Sequence, residues 1–303
     1  MNSTTNISTA DSYLNYYIVC SLSASFGLIS VILSIFIVII VKISKPRLHT
    51  VRHLLMCNTC ISSVIYCTMQ TINYAFLIFL PWITSDLACK WRGYLAYVSV
   101  SAATYSYLVQ AISRLFFSIY AIKYPWLTTF NAHYVLILVH WFTVFTIPLS
   151  ALITNDIYFR PGLLCWVPAR RTIHMMYTGV AFYILPVATI LIIYVVIYRK
   201  LRQSKRAATT LNNTMGDKRD LEVLRNIVIL LCIYIAGGIP TIIFMVTNDD
   251  LFYFTGIVTF TLTVVIEKIC TILLDRELRQ VVKGMIRSND RVMPFENTMT
   301  QRI

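Results

Sequence analysis

The chain alternates long runs free of Asp, Glu, Lys and Arg with short polar breaks. Seven such runs, 13–41, 54–85, 93–113, 124–155, 172–198, 226–248 and 251–266, cover most of its 303 residues. A helix rises about 1.5 Å per residue, so about 20 apolar residues cross the hydrocarbon of a bilayer. Six of the runs are long enough alone, and the seventh becomes so if it continues past Glu267 and Lys268 to Leu274. The pattern predicts helices at 15–41, 53–80, 88–121, 133–153, 173–201, 221–246 and 252–274. Two connections are long. Pro161-Gly162 and Pro168 break the loop 154–172, and Asn212, Asn213 and Gly216 mark the centre of the polar loop 202–220.

After the last span, Leu278, Val281, Val282, Met285 and Ile286 recur at spacings of three and four, while Arg276, Arg279, Lys283 and Arg287 take other positions. This predicts an amphipathic helix over 275–287 that lies on the inner membrane surface and is drawn to anionic lipid. The expected fold is an all-α membrane protein, a seven-transmembrane helix bundle over 15–274 with an amphipathic eighth helix on the inner surface. Residues 1–14 are expected to form an extracellular tail and 288–303 a disordered cytoplasmic one.

Composition agrees. A chain that is 57% hydrophobic and 13% charged falls outside the range of soluble globular domains, so its net charge of +13 does not point to nucleic acid. The basic residues instead orient the spans. With the N-terminus outside, inner segments hold 20 of the 26 Lys and Arg and outer segments hold five. The positive-inside rule therefore predicts a multi-pass plasma-membrane protein with its N-terminus outside and its C-terminus cytoplasmic. No basic region followed by a short apolar stretch and a cleavage site opens the chain, so the first helix is expected to act as its own insertion signal. Asn2 and Asn6 sit in glycosylation patterns on the outer side, whereas the pattern at Asn212 falls inside.

Of eight cysteines, only Cys89 and Cys165 fall at the outer face. That compartment is oxidising, and without metal-ligand spacing the two read as a disulfide rather than as ligands. No nucleophile–base pair, metal cluster or phosphate loop is found, so no enzyme activity, catalytic residue, metal or cofactor is expected.

Cys89 opens the third span and Arg114 follows 25 residues later in Ile112-Ser113-Arg114-Leu115. Trp141 lies in the fourth span, Pro186 precedes Tyr194 by eight residues in the fifth, and Pro240 lies in the sixth. In these features the chain resembles the rhodopsin-like G-protein-coupled receptors, over all seven spans. The resemblance implies a Cys89–Cys165 bond and a heterotrimeric G protein as partner, engaged by Arg114 with support from Tyr194. Ala96 stands where amine receptors carry an Asp, which implies a ligand that is not a monoamine. Ser63 replaces an Asp of the second helix, and Ser113 and Leu115 replace the Asp and Tyr beside the arginine. Gly237-Gly238-Ile239-Pro240 stands in place of Cys-Trp-x-Pro. Glu267-Lys268-Ile269-Cys270-Thr271 stands in place of Asn-Pro-x-x-Tyr.

An arginine at the depth of Arg114 costs several kcal/mol unless it reaches water or a partner, which favours a functional role. Adjacent residues project about 100° apart on a helix. Glu267 is therefore expected to point into the bundle near Ser63, and Lys268 to reach the inner lipid headgroups. Arg92, Tyr97, Trp166, Thr178 and Thr241 are expected to line the pocket for the unidentified ligand. Without an acid at Ser113 or a ring at Gly238, ligand-independent signalling is expected. The rival readings are a transporter or channel using Glu267 and Lys268, and a receptor-like protein that no longer signals.

Overall fold

The computed structural model describes residues 4–44, 48–79, 85–159, 164–167, 171–207, 214–247 and 249–290. Among the described residues the regular structure is helical throughout. The helices are α1 (Thr4–Ile43), α2 (Val51–Phe79), α3 (Asp86–Leu115), α4 (Phe130–Thr146), α5 (Leu149–Ile153), α6 (Thr172–Gly179), α7 (Leu185–Ala207), α8 (Thr214–Thr247), α9 (Asp250–Leu274) and α10 (Arg276–Asp290). Pro148, which has no N–H to give, separates α4 from α5. A π-turn at Val180–Ile184 joins α6 to α7, and a second, Phe116–Tyr120, continues α3.

Helix starts follow local chemistry. Side-chain oxygens of Ser85, Thr129 and Asp249 accept from the backbone N–H groups of Ala88, Ala132 and Leu251, satisfying donors that the first turn leaves open. Within the apolar runs, hydroxyls of Thr143, Thr146, Thr189 and Thr255 donate to carbonyls one turn back. Such bonding satisfies a hydroxyl inside its own helix where lipid offers no partner.

Among the described residues, five segments are long and apolar enough to cross a membrane: Tyr16–Ile43, Val51–Phe79, Phe130–Ile153, Thr172–Lys200 and Leu251–Leu274. α3 falls short on composition because Ser99, Ser101, Thr104, Ser106 and Ser113 are all buried on it. It is the central helix, packed on α2, α4 and α7, so its polar side chains meet protein instead of lipid. α1 packs on α2 and α9, and α9 on α8. The expected loop 202–220 is shortened: α7 runs to Ala207 and α8 starts at Thr214, taking Gly216 into helix. The residues gained include Arg202, Gln203, Lys205, Arg206, Ala207 and Met215, which are good helix formers.

Asp275 turns the chain from α9 into α10. Its Oδ1 accepts from the N–H groups of Glu277 and Leu278, each at 3.0 Å, and its Oδ2 lies 3.0 Å from the guanidinium of Arg52 on α2. Burial pushes the pKa of its carboxyl up, but His53, Arg52 and the Leu278 N–H outweigh that and hold the carboxyl at about 2, against an ordinary 3.8. Leu278 then inserts into a cluster with Ile37, Ile40, Met56 and Cys60, so the apolar side of α10 rests partly on α1 and α2. Because the folded-state value is depressed, the stabilisation, roughly 2 kcal/mol, is complete above about pH 4 and is lost as pH falls toward 2. Asp275→Asn, which keeps a capping oxygen, should melt lower than wild type at pH 7, with the gap closing below pH 4. Equal melting at pH 7 would show that the carboxylate is not held.

Candidate functional site

The N-terminal end of α3 lies under a clamped loop. Cys89 and Cys165 are bonded. One turn further along α3, a Cβ at Gly93 would come within 2.4 Å of the Cys165 carbonyl oxygen and 2.6 Å of Ile157, so only glycine lets the loop lie this close. Asp86 accepts from the Phe159 N–H. Asp156 is buried and gathers Thr154 Oγ1 at 2.7 Å, His174 Nε2 at 2.7 Å and Arg171 Nε at 3.4 Å, tying the end of α5 to the start of α6. Sequence reasoning missed Gly93 and Asp156, since neither belongs to a spacing pattern that marks its partner.

Three of the five expected pocket residues come together beneath this cap. The Arg92 guanidinium lies 4.0 Å from the Phe76 ring centre and 3.7 Å from Cys165 Sγ. Tyr97 accepts from the Val167 N–H at 3.2 Å and packs its ring on Trp166 at 4.9 Å and on Phe182 at 5.7 Å. Thr178 is buried on α6, in the turn preceding Phe182. Thr241 instead faces α9, against Gly256. Asn6 lies on α1, whereas Asn2 lies outside the described residues.

Deeper in, Glu267 and Lys268 form an ion pair, with Lys268 Nζ 2.7 Å from Glu267 Oε1 and both side chains buried. This corrects the expectation that Lys268 reaches the lipid headgroups. α9 has protein on two sides, α1 and α8, so positions 100° apart both look inward. Glu267 accepts from the Tyr107 hydroxyl of α3. Both charges act on Cys60 and Cys67, which flank Ser63 on α2, so this face of α2 looks at the pair, and Ser63 is buried on it.

The Gly238 position also differs from expectation. Helix α8 brings no ring there, but Tyr183 of the π-turn in the fifth span fills the place, and its hydroxyl donates to the Ile235 carbonyl at 2.7 Å. A helix-period pattern cannot show this, because the ring arrives from another helix.

At the C-terminal end of α3, Arg114 lies in electrostatic range of Tyr194 on α7 and of His133 on α4. Ser113 is buried and bonded to His133 Nε2 at 2.9 Å, and His133 Nδ1 contacts the Thr129 carbonyl at 2.8 Å. A nitrogen facing a carbonyl must carry the proton, so neutral His133 accepts from Ser113. Where the resemblance led to an acid holding the arginine, this chain therefore has a serine spent on α4. Further crosslinks join Trp141 Nε1 to Asn58 at 3.1 Å and Gln110 to Thr59 at 2.6 Å, binding α4 and α3 to α2.

No curated protein matches the chain. The sequence pattern of the family described as 7 transmembrane receptor (rhodopsin family) matches residues 34–273, from the inner half of α1 to the last turn of α9. Since that stretch contains the clamp, the buried pair and the inner arginine in one continuous match, the chain belongs to the rhodopsin family of seven-transmembrane receptors.

Proposed function

We propose that the protein is a plasma-membrane receptor that binds a ligand other than a monoamine at its outer face and signals through a heterotrimeric G protein. The observation that carries the reading is Arg114, at the inner end of the central helix, beside Tyr194 of α7. A cation at that depth is costly unless a partner uses it, and the buried tyrosine supplies a polar neighbour beneath the face where a partner would dock. The seven spans include α3, which is covered by α2, α4 and α7, and the apolar stretch Val228–Phe244 of α8. The N-terminal end of the chain, with Asn2 and with Asn6 on the first turn of α1, lies outside, and α10 with the residues after it lies inside, as the placing of 20 of the 26 basic residues requires. α10 presents Arg276, Arg279 and Lys283 to anionic lipid. Arg92, Tyr97 and Trp166 supply the ligand's cation and aromatic walls, with Thr178 alongside. A ligand bearing an acidic or electron-rich group and an apolar body suits that lining.

The test uses receptor tagged after Ile303 in transfected cells. The tag should stain only after permeabilisation, and basal cAMP or calcium signalling should exceed that of empty vector, because Arg114 has no acid beside it in the chain. Arg114→Ala should abolish the signal at unchanged surface level. A tag stained on intact cells overturns the orientation, and an Arg114→Ala receptor that signals normally overturns the coupling role. A surface receptor indistinguishable from empty vector favours the reading in which signalling has been lost.

A further inference from the structure

Two amides on α2 are buried without being satisfied. Gln70 is 3% exposed and Asn73 4%, yet Gln70 Oε1 and Asn73 Nδ2 meet no hydrogen-bond partner among the described residues. Both lie inside the Val51–Phe79 span, where lipid supplies neither donor nor acceptor. An unmet polar group at that depth is destabilising, and packing alone is better served by leucine. The two amides are one turn apart on one face of the helix, and the neighbours of that face show where it looks. Tyr66, one turn before Gln70, clusters with Ala103 of α3 and meets the Phe260 ring of α9 at 5.4 Å. Tyr74, next to Asn73, clusters with Leu164 of the clamped loop, with Trp166 and Tyr253 packed around them. The face therefore looks into the bundle, from its centre up to the underside of the cap.

Two links fix how α2 and α3 run past each other: Gln110 donates to Thr59, and Arg92 lies on Phe76. Counting between those links in antiparallel register sets Ser99 opposite Gln70 and Ala96 opposite Asn73. Neither can satisfy an amide. Alanine has no polar side chain, and the Ser99 hydroxyl donates to the Ala96 carbonyl at 2.7 Å. The Arg92 guanidinium, 4.0 Å from the Phe76 ring centre, stands one turn beyond Asn73 on the outer side. From Gln70 to Phe76 the helix rises about 9 Å, with Asn73 half-way. An extended peptide advances about 3.3–3.6 Å per residue, so a carboxylate held at the guanidinium would bring the last peptide groups of a chain alongside Asn73 and Gln70. Each peptide group carries one N–H donor and one carbonyl acceptor, the complements of Gln70 Oε1 and Asn73 Nδ2.

We infer that Gln70 and Asn73 form an amide-reading subsite beneath the outer pocket, and that the ligand is a short peptide with apolar side chains and a free C-terminal carboxylate. The carboxylate pairs with Arg92. One peptide N–H donates to Gln70 Oε1, and one peptide carbonyl accepts from Asn73 Nδ2. Tyr66, Tyr74 and Trp166 flank the apolar side chains. The peptide assignment rests on the outer-pocket reading above, whereas the unmet amides do not.

Two measurements on the purified full-length receptor test this, and neither needs a G protein. Without ligand, Gln70→Leu and Asn73→Leu should melt no lower than wild type, since each removes an unmet group and keeps most of the volume. A fall of several degrees in either means that the fold or an ordered water already satisfies the amides, and overturns the subsite. With ligand, pooled N-acetyl tripeptides of apolar residues ending in a free carboxylate should raise the wild-type midpoint by several degrees, and the same pools ending in a carboxamide should not. The strongest tripeptide, titrated singly, should bind about five- to tenfold more weakly to Gln70→Leu and to Asn73→Leu, the loss of one hydrogen bond each. Arg92→Leu should lose it too. A tripeptide that needs Arg92 but binds both leucine variants as it binds wild type leaves the outer pocket standing and overturns the subsite. Pools that shift nothing, or carboxamides that shift as much as acids, overturn the peptide assignment. A receptor that binds the tripeptide and stays silent in cells counts against G-protein coupling and supports the subsite.

Discussion

Replacing Lys268 by methionine is expected to remove most of the receptor from the cell surface. Glu267 and Lys268 face each other at 2.7 Å with both side chains about 95% or more buried. Taking two charges out of water is costly, and only their mutual attraction and the added hydrogen bond from Tyr107 offset that cost. Removing one partner leaves the other uncompensated, a loss of about 3–5 kcal/mol, which is a large share of the stability of most folded proteins. Glu267→Gln should be damaging for the same reason, with the ammonium left alone. The double variant Glu267→Gln/Lys268→Met removes both charges together, and neutral replacement of a buried pair is often tolerated. It should therefore recover much of the surface level and melting midpoint that either single change loses. Flow cytometry and thermal unfolding of the four proteins decide the matter, and a Lys268→Met receptor that behaves like wild type would falsify the buried pairing. If the double variant were as poor as the singles, the pair would be holding a specific geometry instead of compensating its own charge.

Breaking the outer clamp should be nearly as costly. Cys165→Ser frees the loop above α3, and losing such a bond removes about 2–5 kcal/mol in small secreted domains. Gly93→Ala attacks the same contact from the other side. Its methyl would meet the backbone oxygen of Cys165 at 2.4 Å, and a backbone atom cannot rotate aside as a side chain can, so the loop must lift. Overpacking of this kind costs about 1–3 kcal/mol. Because both changes act on one loop, their combination should cost less than the sum of the two. Peptide mapping without reduction checks the bond, and surface staining of the three variants checks the packing. Free thiols at Cys89 and Cys165, or a Gly93→Ala receptor staining like wild type, would each count decisively against this account of the cap.

The bundle was legible because hydrophobic length is a local property. Each run free of charge reports its own need for lipid or protein cover, and α2 and α9 lie within a few residues of the expected ends, whereas α1 starts at Thr4, well before the expected residue 15 and inside the segment expected as a tail. Arg114, Tyr194 and Cys89 stood out for a related reason, since each lies at a set distance along the chain from another marked position, whereas Cys165 stood out only as the second cysteine outside the apolar spans. The polar centre was harder to read. Lys268 looked like a residue that would reach for headgroups, since one helix considered alone has one inward face. In the fold, α9 is wedged between α1 and α8 and has two.

What the sequence by itself determined is the membrane character of the chain, the concentration of positive charge in alternate breaks between the apolar runs and the positions of the chemically unusual residues. These depend on composition and on periodicity, both of which act within one segment. The tertiary structure alone decided which of those residues meet. Lys268 turns to Glu267 instead of lipid, Ser113 gives its hydroxyl to His133 instead of bracing Arg114, and Tyr183 supplies from the fifth span the ring that Gly238 omits from the sixth. Each of these partnerships except the first joins residues on different helices, and even the first requires a third helix to exclude water from it. Contacts of that kind are set by how the helices pack side by side, a relation that no single run of residues encodes.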